Sequence, residues 1–178
     1  YLRGREPMAF DLLYWNSDNT RMPKMMHSLY LRKMYLENKL VEPGGITLAG
    51  VPIDLSKIKV PVYWLSTKDD HIAPWTATYK ATQIYKGPKR FVLSASGHIA
   101  GVINPPAANK YCFWTNTKLP VDPDAFFETA KQTDGSWWPD WQKWVKKYAG
   151  AQVKARKPGG GKLKPIEDAP GSYVRVRV

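Results

Sequence analysis

The stretch from Leu65 to Gly101, with the strand Val60 to Leu65 that leads into it, restricts the fold more than any other part of this sequence. VPVYWL is a nearly continuous apolar run, the pattern of a strand covered on both faces, and FVL at 91–93 repeats it after an intervening segment. Pro74 opens that segment, Ala77, Ala81 and Ile84 recur at the helical period, and Gly87-Pro88 closes it. A strand–helix–strand unit of this size predicts a parallel pair joined by a right-handed crossover. The predicted fold class is therefore α/β. Open sheets of this kind gather their chemistry at the carboxyl ends of the strands. Two turns lie there: Ser66 to Ile72, containing Lys68-Asp69-Asp70-His71, and Ser94-Ala95-Ser96-Gly97-His98.

Those turns hold the candidate catalytic residues, Asp70 and His98. An imidazole in a turn of small residues can project into a cleft and act as a general base, worth about 10²–10⁴ in rate. A carboxylate at the neighbouring strand end can fix the imidazole tautomer and stabilise its cation. Other readings exist for each residue alone. His98 also suits a capping or core role, Asp69 rivals Asp70, and an Asp pair ahead of Pro74 suits a solvated, helix-capping turn with Asp69 beside Lys68. His71 is a candidate for orienting the pair from behind, and His27 is read as a surface residue. Acid before histidine is the chain order of hydrolase-type triads. No G-x-S-x-G or G-x-C-x-G elbow precedes them. Cys112 follows the histidine without a strand–turn–helix context and is read as a structural thiol. If a triad exists, its nucleophile is expected upstream of Tyr1. The three histidines show no close paired spacing and there is no cysteine cluster, so no metal site is predicted. Gly159-Gly160-Gly161 lacks the features of a phosphate loop.

The flanking segments are less constraining. An apolar run, Phe10 to Trp15, ends in the turn cluster Asn16-Ser17-Asp18-Asn19. A helix is predicted from about Pro23 to Leu40, with Met22, Met25, Met26, Leu29, Leu36 and Leu40 on one stripe and Leu31, Met34 and Tyr35 on another. Pro43-Gly44-Gly45 marks a boundary, and ITLAGVPIDL reads as a small hairpin around Ala49-Gly50. Residues 104–120 read as an ordered surface loop and 123–132 as a helix. A further helix begins near Ser136, with Trp137, Trp141, Trp144, Val145 and Tyr148 on one face and Gly150 as its cap. Residues 151–165 carry Lys154, Arg156, Lys157, Lys162 and Lys164 and no acid, a basic linker. YVRVRV alternates like a half-buried strand.

Charge and composition bound the function classes. A chain of 178 residues buries about 70% of its unfolded surface, enough for one core. Its formal charge of +12 suits a basic surface, nucleic acid, an anionic surface or a polyphosphorylated substrate. The aromatics fall at core spacings rather than along a groove, which disfavours nucleic acid as partner. No apolar run is long enough to span a membrane. No leader is visible, and the abrupt start at Tyr1 reads as a piece of something longer. The single cysteine precludes an internal disulfide and suits a reducing compartment.

Five stretches together resemble a known family: FDLLYWNSDNTRMP, YLRKMYLENKL, DDHIAPW, FVLSASGHIAGVINPP and GSWWPDW, with IEDAPGSYV near the end. They are similar to the carboxyl-terminal part of polyhydroxyalkanoate synthases of the class I type. The resemblance implies the carboxyl-terminal portion of an α/β-hydrolase-like fold. Residues 1–45 would be the end of a cap subdomain, 46–150 core, and 151–178 a basic linker and tail. It implies polymerisation of (R)-3-hydroxyacyl-CoA thioesters with release of CoA through a Cys–Asp–His triad. Asp70 and His98 take the acid and base positions, and the cysteine lies in the remaining amino-terminal part of the protein. The chain alone is then expected to be inactive. No cofactor is implied, since the CoA thioester is substrate. A cytoplasmic homodimer at the polymer granule surface is implied as well. A thioester or polyester hydrolase of the same fold, and a non-catalytic basic binding module, are the alternatives.

Overall fold

The computed structural model describes Gly4 and residues 19–176. The run Phe10–Trp15 and Asn16, Ser17 and Asp18 of the turn cluster lie outside the described residues. The chain divides into two units that part between Trp137 and Trp138.

The first unit is a mixed α/β structure. Helix α1, Lys24–Leu29, runs directly into a π-helical segment, Tyr30–Leu36. The sequence predicts one α-helix to Leu40; the wider turn instead brings Tyr30 and Tyr35 edge-on at 5.1 Å, and Asn38 in the left-handed region ends the helix. Strands β1 (Thr47–Leu48) and β2 (Val51–Pro52) form the predicted hairpin. Ala49 and Gly50 both have positive φ, as a tight two-residue turn between strands demands.

Four further strands make a mixed sheet in the order β3 (Val62–Thr67), β4 (Lys89–Ser94), β5 (Cys112–Thr115), β6 (Lys131–Asp134). β3 and β4 are parallel, with Leu65 opposite Val92 and Thr67 opposite Ser94. The crossover holds two short helices, α2 (Trp75–Tyr79) and α3 (Ala81–Ile84), where the sequence predicts one. Gly87 is needed at its end, because a Cβ there would run into the carbonyls of Lys59 and Val60. Phe91, Val92 and Leu93 of β4 are fully buried. One sheet face packs on an aromatic core: the ring of Tyr79 lies 4.9 Å from Phe91 and 5.0 Å from Phe126. The Tyr79 hydroxyl donates to the Pro120 carbonyl at 2.7 Å, so this buried ring keeps a partner for its polar end.

The remaining strands correct the sequence reading. β5 lies inside the stretch read as a loop, with Phe113 buried, and pairs antiparallel to β4. The next helix, α5, is Pro123–Thr129, N-capped by Asp122. It stops short of Gln132 because Ala130 turns extended and Lys131–Asp134 forms β6, antiparallel to β5. Helix α4, Ala100–Ile103, follows β4 after the turn that carries His98.

The second unit holds helix α6, Trp138–Val145. Trp141, Trp144 and Val145 are half-buried on one side, and Gly150 takes the left-handed conformation just beyond the helix. Trp137, predicted on that face, precedes the helix, is the last residue of the first unit and is buried. The predicted terminal strand is absent among the described residues: Tyr173–Arg175 is a single 3₁₀ turn. Alternation of Val and Arg needs a ladder partner to become a strand, and no described segment offers one.

Candidate active site

The two strand-end turns are stitched together by backbone bonds that extend the parallel ladder past its last residues. The Lys68 N–H donates to the Ser94 carbonyl at 2.8 Å and the Asp69 N–H to the Ser96 carbonyl at 3.0 Å. Ser96 sits at φ +73°, a left-handed kink that turns the chain off β4 before Gly97 and His98. Asp70 and His98 meet across this seam. Asp70 Oδ2 lies 2.7 Å from His98 Nδ1, while Oδ1 accepts from the N–H groups of Ile72 and Ala73, both at 2.9 Å.

The carboxylate is thus fully engaged. Its side chain is 8% exposed, against 47% for the imidazole. The Ala73 N–H, then His98, then the Ile72 N–H hold the Asp70 carboxyl down at about 2, well below the usual carboxylate range. An ionised Asp70 accepting from Nδ1–H fixes the tautomer in which Nε2 carries the lone pair. Nε2 has no hydrogen-bond partner among the described residues. This arrangement can take up a proton at Nε2 and balance the resulting cation at Nδ1.

Other candidates are not drawn in. His71 is exposed, with no hydrogen bond to Asp70 or His98. Asp69 is exposed as well, and Lys68 does not pair with it; the ammonium instead lies 5.0 Å from the Trp114 ring centre and 4.6 Å from that of Phe127. Cys112 begins β5, half-buried. Burial, and next the Asp134 carboxylate, push its thiol up, opposite to what a nucleophile needs. A groove of about 470 Å³ lined by Met25, Met26, Leu29 and Leu48 lies between α1 and the hairpin, apart from the Asp70–His98 pair. No group of three or more metal-ligating side chains forms among the described residues.

Two residues near His98 escape a sequence reading. The Ser94 hydroxyl donates to the Gly101 carbonyl at 2.8 Å, and the indole N–H of Trp137 donates to the Val102 carbonyl at 3.0 Å. The only sequence signal is generic: a buried tryptophan needs an acceptor for its N–H. Gly101 itself is obligatory, since a Cβ would meet the Ala95 carbonyl and come within 2.6 Å of Thr67 Cγ2.

A mixed sheet with α-helices, carrying a carboxylate against an exposed imidazole at adjacent strand ends, places the chain among the mixed α/β proteins. The sequence comparisons narrow this class. The chain is 53% identical over 99% of its length to the poly(3-hydroxyalkanoate) polymerase subunit of Rhizobium meliloti. It is 49% identical, again over 99% of its length, to that of Cupriavidus necator, and 42% identical to poly(3-hydroxyalkanoate) polymerase 2 of Ectopseudomonas oleovorans. It spans 29%, 30% and 32% of those proteins respectively, their carboxyl-terminal part. No family model matches the chain. The resemblance of its motifs to the polyhydroxyalkanoate synthases is borne out along nearly its whole length.

Proposed function

We propose that this chain supplies the acid and the base of a Cys–Asp–His triad that polymerises (R)-3-hydroxyacyl-CoA thioesters into polyhydroxyalkanoate. The observation that carries the reading is the 2.7 Å bond between Asp70 and His98, which leaves Nε2 of a half-exposed ring without a partner among the described residues. In this reading the chain is the carboxyl-terminal portion of an α/β-hydrolase-like core, residues 1–45 the end of its cap, and the nucleophile comes from the rest of the polymerase. His98 Nε2 takes the proton of that cysteine, and Asp70 stabilises the imidazolium. The thiolate adds to the thioester carbonyl, the bond from carbon to the CoA sulfur breaks, and CoA leaves with the proton returned by His98. In elongation, His98 removes the proton of a 3-hydroxyl group, whose oxygen attacks the next thioester. An ester bond forms and a second thiol leaves, protonated by the same imidazolium.

No step requires a cofactor, since the thioester itself is the activated substrate. The positive charge of +12 favours a ligand bearing several phosphate groups, as CoA does. No helix among the described residues is long and apolar enough to cross a membrane. A cytoplasmic homodimer at the surface of the polymer granule fits this activity.

The test is CoA release and polymer yield from a hydroxyacyl-CoA in the full-length protein. Asp70→Asn and His98→Ala are expected to lower the rate by about 10³-fold or more with the fold intact. Cys112→Ser, in the same assay, is expected to leave it within about twofold, its thiol being neither exposed nor acidified. Near-parental polymer yield from His98→Ala overturns the assignment. Release of free hydroxy acid in place of polymer turns the reading to a thioesterase.

A further inference from the structure

Helix α4 begins two residues after His98 and is a single turn long. One turn cannot sustain itself, because helix nucleation costs more than its few bonds return. Its internal bonds are few: Gly101 N–H to the Gly97 carbonyl at 3.1 Å, Val102 N–H and Ile103 N–H to Ile99 at 3.1 and 3.0 Å, Asn104 N–H to Ala100 at 3.2 Å. Carbonyls at a helix carboxyl end have no acceptor role inside the helix and must be satisfied from outside. Two successive ones are. Gly101 receives the Ser94 hydroxyl from β4, and Val102 receives the Trp137 indole from the far end of the same unit. Both donors are buried, Ser94 completely and Trp137 to 6% exposure. The seat beneath is close-fitted, with Gly101 against Thr67 and the Ala95 carbonyl. His98, by contrast, is half-exposed and its ring is tethered by the Asp70 bond alone among the described residues.

The direction of the imidazole therefore depends on where the backbone after it is fastened. We infer that Ser94 and Trp137 are positioning residues for His98: together they clamp α4 through successive carbonyls, and the clamp sets the angle at which Nε2 faces the reacting group. The inference rests on the proposed role of His98. It also gives the doubled tryptophan of GSWWPDW a task, since its first ring fastens the turn that carries the base. Misplacing a reacting group by about 1 Å costs up to about 10²-fold in rate, so a loosened rather than broken clamp should cost about tenfold.

The experiment uses the full-length protein with a hydroxyacyl-CoA, well below each variant's melting temperature. Ser94→Ala and Trp137→Phe each remove one donor and keep most of the volume. Each is expected to lower kcat about tenfold with KM within about twofold, and to weaken the low-field proton resonance of the His98–Asp70 bond. Phe126→Leu, a loss of packing in the aromatic core rather than in the clamp, is expected to lower the melting temperature while keeping kcat. Unchanged kcat in both clamp variants overturns the inference, as does a rise in KM alone. So does a fall in kcat that Phe126→Leu reproduces at equal loss of stability. His98→Ala in the same series separates the two ideas. If it retains activity the triad reading fails; if it is inactive while the clamp variants are unaffected, only the clamp fails.

Discussion

The two halves of the sheet are built on opposite terms. In β3 and β4 the strands run parallel, β4 is sealed at Phe91, Val92 and Leu93, and both strands end in turns that carry titratable side chains. In β5 and β6 the strands run antiparallel, and all four residues of β6, Lys131 to Asp134, are exposed. The parallel half holds the Asp70–His98 pair; the antiparallel half closes the sheet with a short, charged edge that discourages pairing with other chains. Its contribution to the site is indirect. β5 offers the Trp114 ring on which Lys68 leans, and the Cys112 carbonyl receives the Ala95 N–H at 2.9 Å, bracing the turn toward His98. The Asp70–His98 pair thus sits where backbone geometry is over-determined, and the exposed edge lies at the other end of the sheet.

The sharpest way to break this contrast is to remove packing from each half in turn. Phe91→Ala takes a fully buried ring out of β4 and is expected to cost about 3–5 kcal/mol of stability, seen as a lower urea midpoint. A loss under 1 kcal/mol would mean that the aromatic cluster does not carry the parallel half.

The next effect is on acid stability and comes from Asp70. Its folded value of about 2 lies below that of an unfolded aspartate, about 3.9. The unfolded chain therefore binds the proton first, so the contribution of Asp70 is complete above about pH 4 and is lost as pH falls toward about 2. Asp70→Asn is expected to flatten the fall of stability across that window, read from unfolding midpoints at successive pH values. An undiminished slope would show that the carboxylate is not held as described.

The smallest effect belongs to the exposed edge. Gln132→Ala on β6 is expected to change stability by less than about 0.5 kcal/mol and to leave catalysis unaltered. A change as large as that of Phe91→Ala would abolish the distinction between the halves.

Legibility in the sequence follows the same division. The parallel pair declared itself because a strand buried on both faces reads as an unbroken apolar run, and because Gly, Pro and Asp punctuate its ends. β5 and β6 stayed hidden because CFWT follows a Pro-rich stretch and KQTD carries no apolar residue at all. A strand this short draws its structure from its neighbours' backbones, which leaves little mark on its own side chains. The alternation of YVRVRV misled for the converse reason, a strand pattern without a described partner. The helix after Pro23 was visible as a helix, but its periodicity does not announce the π turn that brings Tyr30 and Tyr35 edge-on.

By itself, the sequence determined the α/β class, the crossover, and the two turns on which Asp70 and His98 sit, since apolar periodicity and turn residues act locally. The fold alone decided that Oδ2 and Nδ1 come to 2.7 Å while Oδ1 is consumed by two backbone N–H groups, because that pairing hangs on the register of β3 against β4. It also decided that Lys68 turns to aromatic rings and that Trp137 reaches the carbonyl of Val102. Hydrogen bonds between residues far apart in sequence are fixed by strand order and packing, and no local pattern encodes them.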